Sequence, residues 1–479
     1  MQRLEHFIGG KFVASNGDRA LLDVNPSDAT DQIAEVPVGT PDDVKAAVAA
    51  ASGAFEPWRS RTGLARAEYL YRWAEVISSF QEALAQAVCR EVGKPISEAR
   101  GEAARGVAIL RYYAGEAVHP SGEVIPSQLE NALQFTLREP LGVVAAITPW
   151  NFPLAIPLWK LAPALAFGNA VVWKPSELSP HVSTLLVEMA AKAGLPPGVL
   201  NLVLGTGEGA GEELLKCDGV HALSFTGSSR VGAHIAGVAA RRGFRYQTEM
   251  GGKNAAIVLQ DADLDRAASL TAGGAMRYAG QKCTATSRVI AAKEIAKVFW
   301  KKLEEAILAL PIGPVDDPKS AVGPLITEAS RNRLQEVRNG FVGQDIFEVP
   351  VPSGPRFLHG FFYPPTVVYG ARPDSFVGTN ELFGPVLAAF EGEDLDHAIE
   401  VVNRSPYGLS ATIFTRDLHS VLRYVRRIEA GMVRVNGDTT GVDPHAPFGG
   451  TKKSSSGSRE QGTAAREFYT EIKTIQIQG

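Results

Sequence analysis

Along most of the chain, short apolar runs alternate with segments whose apolar residues recur every three or four positions. Between residues 141 and 250 the alternation is regular. Runs at 143–148, 170–173, 199–204, 222–225 and 245–249 predict buried strands, and 154–167, 180–192 and 228–239 predict helices. Repeated strand–helix–strand units imply a parallel, doubly wound α/β sheet, which gathers ligands at the carboxyl ends of its strands. A second α/β run opens after Gly252 with a strand at 255–259 and continues to about Phe448. Apart from a short strand-like start, the first hundred residues are helical in pattern. Thr40-Pro41-Asp42-Asp43 combines a hydroxyl N-cap, a first-turn proline and two acids at the positive end of the dipole. Alanine-rich helices continue to about Gly115.

Two segments break this rhythm. Leu133, Phe135 and Leu137 alternate with Gln134, Thr136 and Arg138, the period of a half-buried strand, and residues 472–478 alternate in the same style. They suggest an arm that pairs between subunits; a peripheral sheet within one chain is the alternative.

Composition narrows the function classes. The 479 residues suggest roughly three structural units. Forty-eight basic against fifty-two acidic residues give a net charge of −4, which points to no nucleic-acid or anionic-membrane partner. Three cysteines, Cys89, Cys217 and Cys283, are too few for a disulfide framework and favour a reducing compartment. With no apolar leader and no run of ~18 apolar residues, a soluble cytoplasmic protein is expected.

Candidate chemistry centres on Cys283. It lies in the small, polar stretch Gly280-Gln281-Lys282-Cys283-Thr284 between a helix and a strand, beside a lysine able to favour the thiolate. Cys89 sits among Ala85, Val88 and Val92 like a core residue, and Cys217 ends a helix. Glu249 closes a strand before Gly251-Gly252-Lys253-Asn254, where partial burial would suit a general base; a solvated strand-end acid is the alternative. Asn151, in Trp150-Asn151-Phe152-Pro153, is placed to donate to an oxyanion or to start an Asx turn. Lys174-Pro175-Ser176-Glu177 offers a cation and a carboxylate for ribose hydroxyls, or simply exposed charges. Two glycine-rich turns compete for a pyrophosphate: Gly205-Thr206-Gly207-Glu208-Gly209-Ala210, which fits G-x-G-x-x-G/A, and Phe225-Thr226-Gly227-Ser228-Ser229, which opens a helix. No His-Glu-x-x-His or paired Cys-x-x-Cys is present, so no metal site is expected.

In order, Pro149-Trp150-Asn151-Phe152-Pro153, Trp173-Lys174-Pro175-Ser176-Glu177, Phe225-Thr226-Gly227-Ser228, Glu249-Met250-Gly251-Gly252-Lys253, Gly280-Gln281-Lys282-Cys283, Glu381-Leu382-Phe383-Gly384-Pro385-Val386 and Pro447-Phe448-Gly449-Gly450 resemble the NAD(P)-dependent aldehyde dehydrogenase superfamily over essentially the whole chain. The resemblance implies an α/β fold with a Rossmann-type cofactor domain (1–117 and 139–250), a catalytic domain (251–450) and a β-strand oligomerisation arm (118–138 and 458–479). It implies Cys283 as nucleophile, Glu249 as base and Asn151 as oxyanion donor. It places Thr148, Pro149, Trp150, Lys174, Ser176, Glu177, Gly207, Gly227, Ser228, Glu381 and Phe383 at the cofactor. NAD is expected, with NADP possible, in a homodimer or homotetramer. Local texture looks like the 2-oxoglutarate semialdehyde (2,5-dioxopentanoate) dehydrogenases, with Arg277 and Phe448 as candidate substrate residues. Another semialdehyde, or a broad range of aliphatic and aromatic aldehydes, is the alternative substrate reading. A CoA-acylating dehydrogenase, which would not need Glu249, and a cofactor-independent thiol esterase are the alternative activities.

Overall fold

The computed structural model describes residues 2–119, 122–341 and 343–479. Two large sheets dominate it. In the first, of eight strands among the described residues, Arg245–Glu249, Ala222–Thr226, Val143–Ile147, Ala170–Lys174 and Leu200–Leu202 lie side by side and parallel. Of these five parallel strands, Val143–Ile147 is reached first by the chain yet sits in the middle. The chain builds outward on one side of it, then crosses to the other. That reversal opens a crevice at the carboxyl ends of Val143–Ile147 and Ala222–Thr226. Core strands such as Ala170–Lys174 and Ala222–Thr226 are buried along their whole length, as expected of a parallel sheet covered on both faces.

Four helices, Pro41–Arg59, Gly63–Ser79, Gln81–Val92 and Ile96–Glu116, occupy the stretch expected to be helical. Thr40 starts the first with a capping box in which Thr40 and Asp43 satisfy each other's backbone N–H groups. The residues before Thr40 depart from the helical expectation. Ala20–Asn25 and Asp28–Pro37 pair antiparallel, and His6–Ile8 and Lys11–Val13 extend the eight-stranded sheet. These strands are partly exposed, and all but Asp28–Pro37 are short, so they lack the apolar runs that reveal buried strands.

The second sheet has seven strands among the described residues. Thr366–Tyr369, Val386–Gly392, Thr286–Ala292, Asn254–Val258, Ser410–Phe414 and Met432–Val435 are parallel, and Asp345–Glu348 is an antiparallel edge. Its core is separate from the two cores that flank the first sheet. The two irregular segments pair with each other within one chain: Ala132–Pro140 runs antiparallel to Thr470–Gln478. Among the described residues, no helix is long and apolar enough to cross a membrane.

Candidate active site

The two sheets offer opposite edges to one crevice. Glu249 is the last residue of its strand in the first sheet, and Thr148 and Asn151 follow the carboxyl end of Val143–Ile147. Cys283 instead lies just before Thr286–Ala292, at the amino edge of the second sheet, and Asn254 begins the neighbouring strand.

The loop bearing Cys283 is held from several directions. Asn254 Nδ2 donates to the carbonyls of Cys283 and Ala285, both at 2.8 Å. Asn151 Nδ2 donates to Gln281 O at 3.0 Å, and the Gln281 side chain bridges Ile326 N and Pro324 O. Thr439 Oγ1 donates to Thr284 O at 2.7 Å. These bonds stabilise an unusual backbone: Tyr278 and Ala279 are left-handed at φ 55° and 50°, costing about 1–3 kcal/mol each, before Gly280 at φ 65°. A Cβ on Gly280 would fall 2.4 Å from Gly384 O.

Cys283 is half-buried. Burial first, then the Glu381 and Glu249 carboxylates, push its thiol up to about 12, so it rests protonated. Glu249 is fully buried, and burial with repulsion from Glu460 raises it well above the usual carboxylate range. That strengthens its carboxylate as a base.

In front of Cys283 is a cavity of about 180 Å³, lined among others by Phe152, Trp159, Thr284 and Phe448. Trp159 and Phe448 pack with ring centroids 5.5 Å apart. One cation in this apolar lining is conspicuous. Arg105 Nε and Nη2 are buried without a hydrogen-bond partner among the described residues. Those two N–H groups form one edge of the guanidinium, the edge that accepts a carboxylate bidentately. A larger cavity of about 860 Å³ is lined by Cys89 and Arg90, and by none of the site residues expected from sequence.

On the first sheet's edge, Lys174 is buried with its ammonium 3.4 Å from Glu177. Trp173 Nε1 donates to Thr148 Oγ1 at 2.9 Å. Ser228 caps the helix Ser229–Arg242, while Thr226 Oγ1 and Ser229 Oγ nearby are buried without hydrogen-bond partners among the described residues. Gly227 packs on Phe225, whose ring a Cβ would meet at 2.4 Å. The competing turn is a single π-helical turn, Gly207–Gly211, capped by Thr206. Its Gly205 is required for packing against Gly39, whereas Gly207 faces open space. Glu381 Oε1 accepts from Gly252 N at 3.0 Å, and burial pushes this carboxyl up to about 7. Phe383, left-handed at φ 52°, meets Trp150 edge-on at 5.7 Å.

This arrangement of a thiol, an amide, a raised carboxyl and two half-sites at a topological switch matches a known design. A model of the aldehyde dehydrogenase family matches residues 12–475. The chain belongs to the aldehyde dehydrogenase family. It is 43% identical to the alpha-ketoglutaric semialdehyde dehydrogenase of Bacillus subtilis (strain 168), over 98% of this chain and 97% of the relative. It is 38% identical to the 2,5-dioxopentanoate dehydrogenase of Saccharolobus solfataricus, over 98% of each. Among solved structures, an NAD-dependent aldehyde dehydrogenase from Sinorhizobium meliloti superposes with a TM-score of 0.96 at 34% identity, covering 100% of this chain and 95% of that one. Betaine aldehyde dehydrogenase from Staphylococcus aureus in complex with NAD+ gives 0.95 at 32% identity, covering 99% and 94%.

One expectation for this aldehyde dehydrogenase needs correction. Lys282 does not serve the thiolate, because its ammonium pairs with Glu98 at 2.8 Å. Arg277 is exposed and absent from the cavity lining. It is the C-cap of the helix Leu264–Met276, and its side chain lies over the last turn beside Gly273. Arg105 and Lys282 both line the cavity, and the motif reading missed Arg105. Its signal was the spacing Glu98, Glu102, Arg105, charges at i, i+4 and i+7 on one face of an alanine-rich helix. Glu102 accepts the first amides of the helix Ala155–Ala166, from Leu154 N at 2.9 Å and Ala155 N at 3.0 Å, and pairs with buried Lys94. Lys94 in turn lies 3.8 Å from the Phe152 ring centroid.

Proposed function

We propose that this aldehyde dehydrogenase oxidises an aldehyde carrying a carboxylate to the corresponding acid, with NAD as oxidant, through a thioester on Cys283. The substrate that fits best is 2,5-dioxopentanoate. The open edge of Arg105 carries this reading: beside the nucleophile, with the Glu102 and Asp443 carboxylates near, the guanidinium keeps two buried N–H groups without a hydrogen-bond partner among the described residues.

Cys283 Sγ adds to the carbonyl carbon as the thiol proton passes to solvent water. The oxyanion takes the free N–H of the Asn151 amide and the backbone N–H of Cys283; one such donor contributes about 3 kcal/mol to the barrier. NAD, when bound, supplies the hydride acceptor that turns the adduct into a thioester. Glu249 then removes a proton from water, which attacks the thioester carbon and releases acid and thiol.

The crevice residues fit a dinucleotide. Lys174 and Glu177, with Ser176 between them, suit the ribose hydroxyls at the strand end, and a carboxylate there disfavours a 2′-phosphate. The orphaned Thr226 and Ser229 hydroxyls, with Gly227, Ser228 and the free amides of the helix Ser229–Arg242, suit a pyrophosphate. Gly207 borders open space, and Thr148, Pro149, Trp150, Glu381 and Phe383 line the route from this half toward Cys283.

The same reading divides the chain into a cofactor unit (1–117 and 139–250), a catalytic unit (251–450) and an arm (118–138 and 458–479). Exposed Leu133, Leu137, Ile472 and Ile477 on the arm's sheet support a homodimer or homotetramer.

The test compares 2,5-dioxopentanoate with pentanal in Arg105→Leu and Arg105→Lys. We expect kcat/KM for the charged aldehyde to fall by about a hundredfold in Arg105→Leu, less in Arg105→Lys, with pentanal within about threefold of wild type. Equal losses for both aldehydes, or none, would overturn the carboxylate assignment.

A further inference from the structure

The Glu249 carboxylate has two unlike oxygens. Oε2 accepts a hydrogen bond from Ser455 Oγ at 2.5 Å. Oε1 has no partner among the described residues and lies against Gly449, where a Cβ would come within 2.6 Å of it. Ser455 is placed by strand register: the short strand Ser455–Gly457 runs antiparallel to Arg245–Glu249, with Glu249 directly opposite Ser455. The hydroxyl is itself oriented. Gly450 N donates to Ser455 Oγ at 2.6 Å, which leaves the hydroxyl proton for the carboxylate. An amide–hydroxyl–carboxylate chain of this kind is polarised in one direction and favours the ionised acid.

Resting on the reading of Glu249 as the base of thioester hydrolysis, the geometry points to Ser455 as a positioning residue for that half-reaction: it anchors Oε2, leaves Oε1 free to take a proton from water, and favours the ionised carboxylate. Ser455 is absent from the cavity lining at Cys283 and touches the site through Glu249.

The surroundings set the sign of the expected effect. Burial first and Glu460 second raise Glu249; the Ser455 hydrogen bond is the largest opposing influence, ahead of Lys160 and Arg459. Lys160, on the helix Ala155–Ala166, pairs with Glu460, which also accepts from Ser224 and Gln247. The Cys283 thiol faces Glu249 from the second sheet's edge. A base acts as its carboxylate, so hydrolysis rises with pH through the Glu249 transition. Removing the main opposing donor raises that transition and moves the acid limb to higher pH.

The experiment measures first-turnover NADH formation by rapid mixing, and steady-state turnover against pH, in wild type, Ser455→Ala, Ser455→Thr and Glu249→Gln. In Ser455→Ala the acid limb of steady-state turnover should move up by about one pH unit, a tenfold loss below the limb, while the first turnover keeps its wild-type rate. Ser455→Thr, which keeps a hydroxyl, should restore the limb. An unmoved limb in Ser455→Ala, a threonine variant that behaves like alanine, or parallel loss of the first turnover would overturn the proposal. Glu249→Gln separates the two possible failures. If it slows both phases equally, the reading of Glu249 as hydrolytic base fails, and the Ser455 role fails with it. If it slows only steady-state turnover while Ser455→Ala matches wild type, the Ser455 role alone fails.

Discussion

The two edges of the crevice are built by different means. On the first sheet's side, groups project directly from strand ends and a helix start: Glu249 ends a strand, Lys174 ends another, and Ser228 caps a helix. Strand spacing and parallel register alone place them. On the second sheet's side, Cys283 precedes its strand in a left-handed loop, and its position depends on side-chain straps from Asn254, Gln281 and Thr439. The first edge is a property of the fold, and the second is a property of individual side chains. Damage should therefore read out differently on the two sides. Losses at the strapped edge should appear in the chemical step, and losses among the cofactor-facing groups of the strand-end edge in binding.

The largest such effect is expected for Asn254→Ala. It frees the carbonyls of Cys283 and Ala285 and should lower kcat by about a hundredfold, with the KM for NAD little changed, because a misplacement of about 1 Å is that costly. Steady-state kinetics at saturating NAD checks it; a change confined to KM would erase the distinction between the edges. A smaller effect is expected at the strand ends. Glu177→Ala should shift the NADP to NAD ratio of kcat/KM by about tenfold toward NADP, by removing a carboxylate that repels a 2′-phosphate, and should leave kcat near wild type. Initial rates with both dinucleotides measure this directly. A loss of kcat instead would show that the cofactor edge is as finely strapped as the nucleophile loop.

The same contrast explains what was legible in the sequence. The strand–helix rhythm from 141 to 250 is found nearly residue for residue; Pro180–Lys192 and Arg245–Glu249 have the expected bounds. Burial on both faces writes itself into a sequence as continuous apolar runs. The opening strands are partly exposed, mostly short and mostly paired antiparallel, so their composition separated them poorly from connecting loops. The expected site residues were legible as motifs, but their environments were not. A lysine adjacent to Cys283 in sequence is committed to Glu98 on a helix far away along the chain, and the thiol is raised rather than lowered. Arg277 is near Cys283 in sequence and outside the cavity, while Arg105, far away in sequence, lines it. Sequence proximity carries little information about which charges share a cavity. The period of a helix carries more, and Glu98, Glu102 and Arg105 share one face for that reason.

The central claim is that both edges converge on one covalent intermediate at Cys283, and it can be caught. Glu249→Gln, mixed with NAD and 2,5-dioxopentanoate, should release one equivalent of NADH per active site and then turn over slowly. Intact-mass and peptide analysis of the quenched protein should find the acyl group on the peptide containing Cys283. One equivalent of NADH with an unmodified Cys283, or an acyl group on Cys89 or Cys217 instead, would contradict the account.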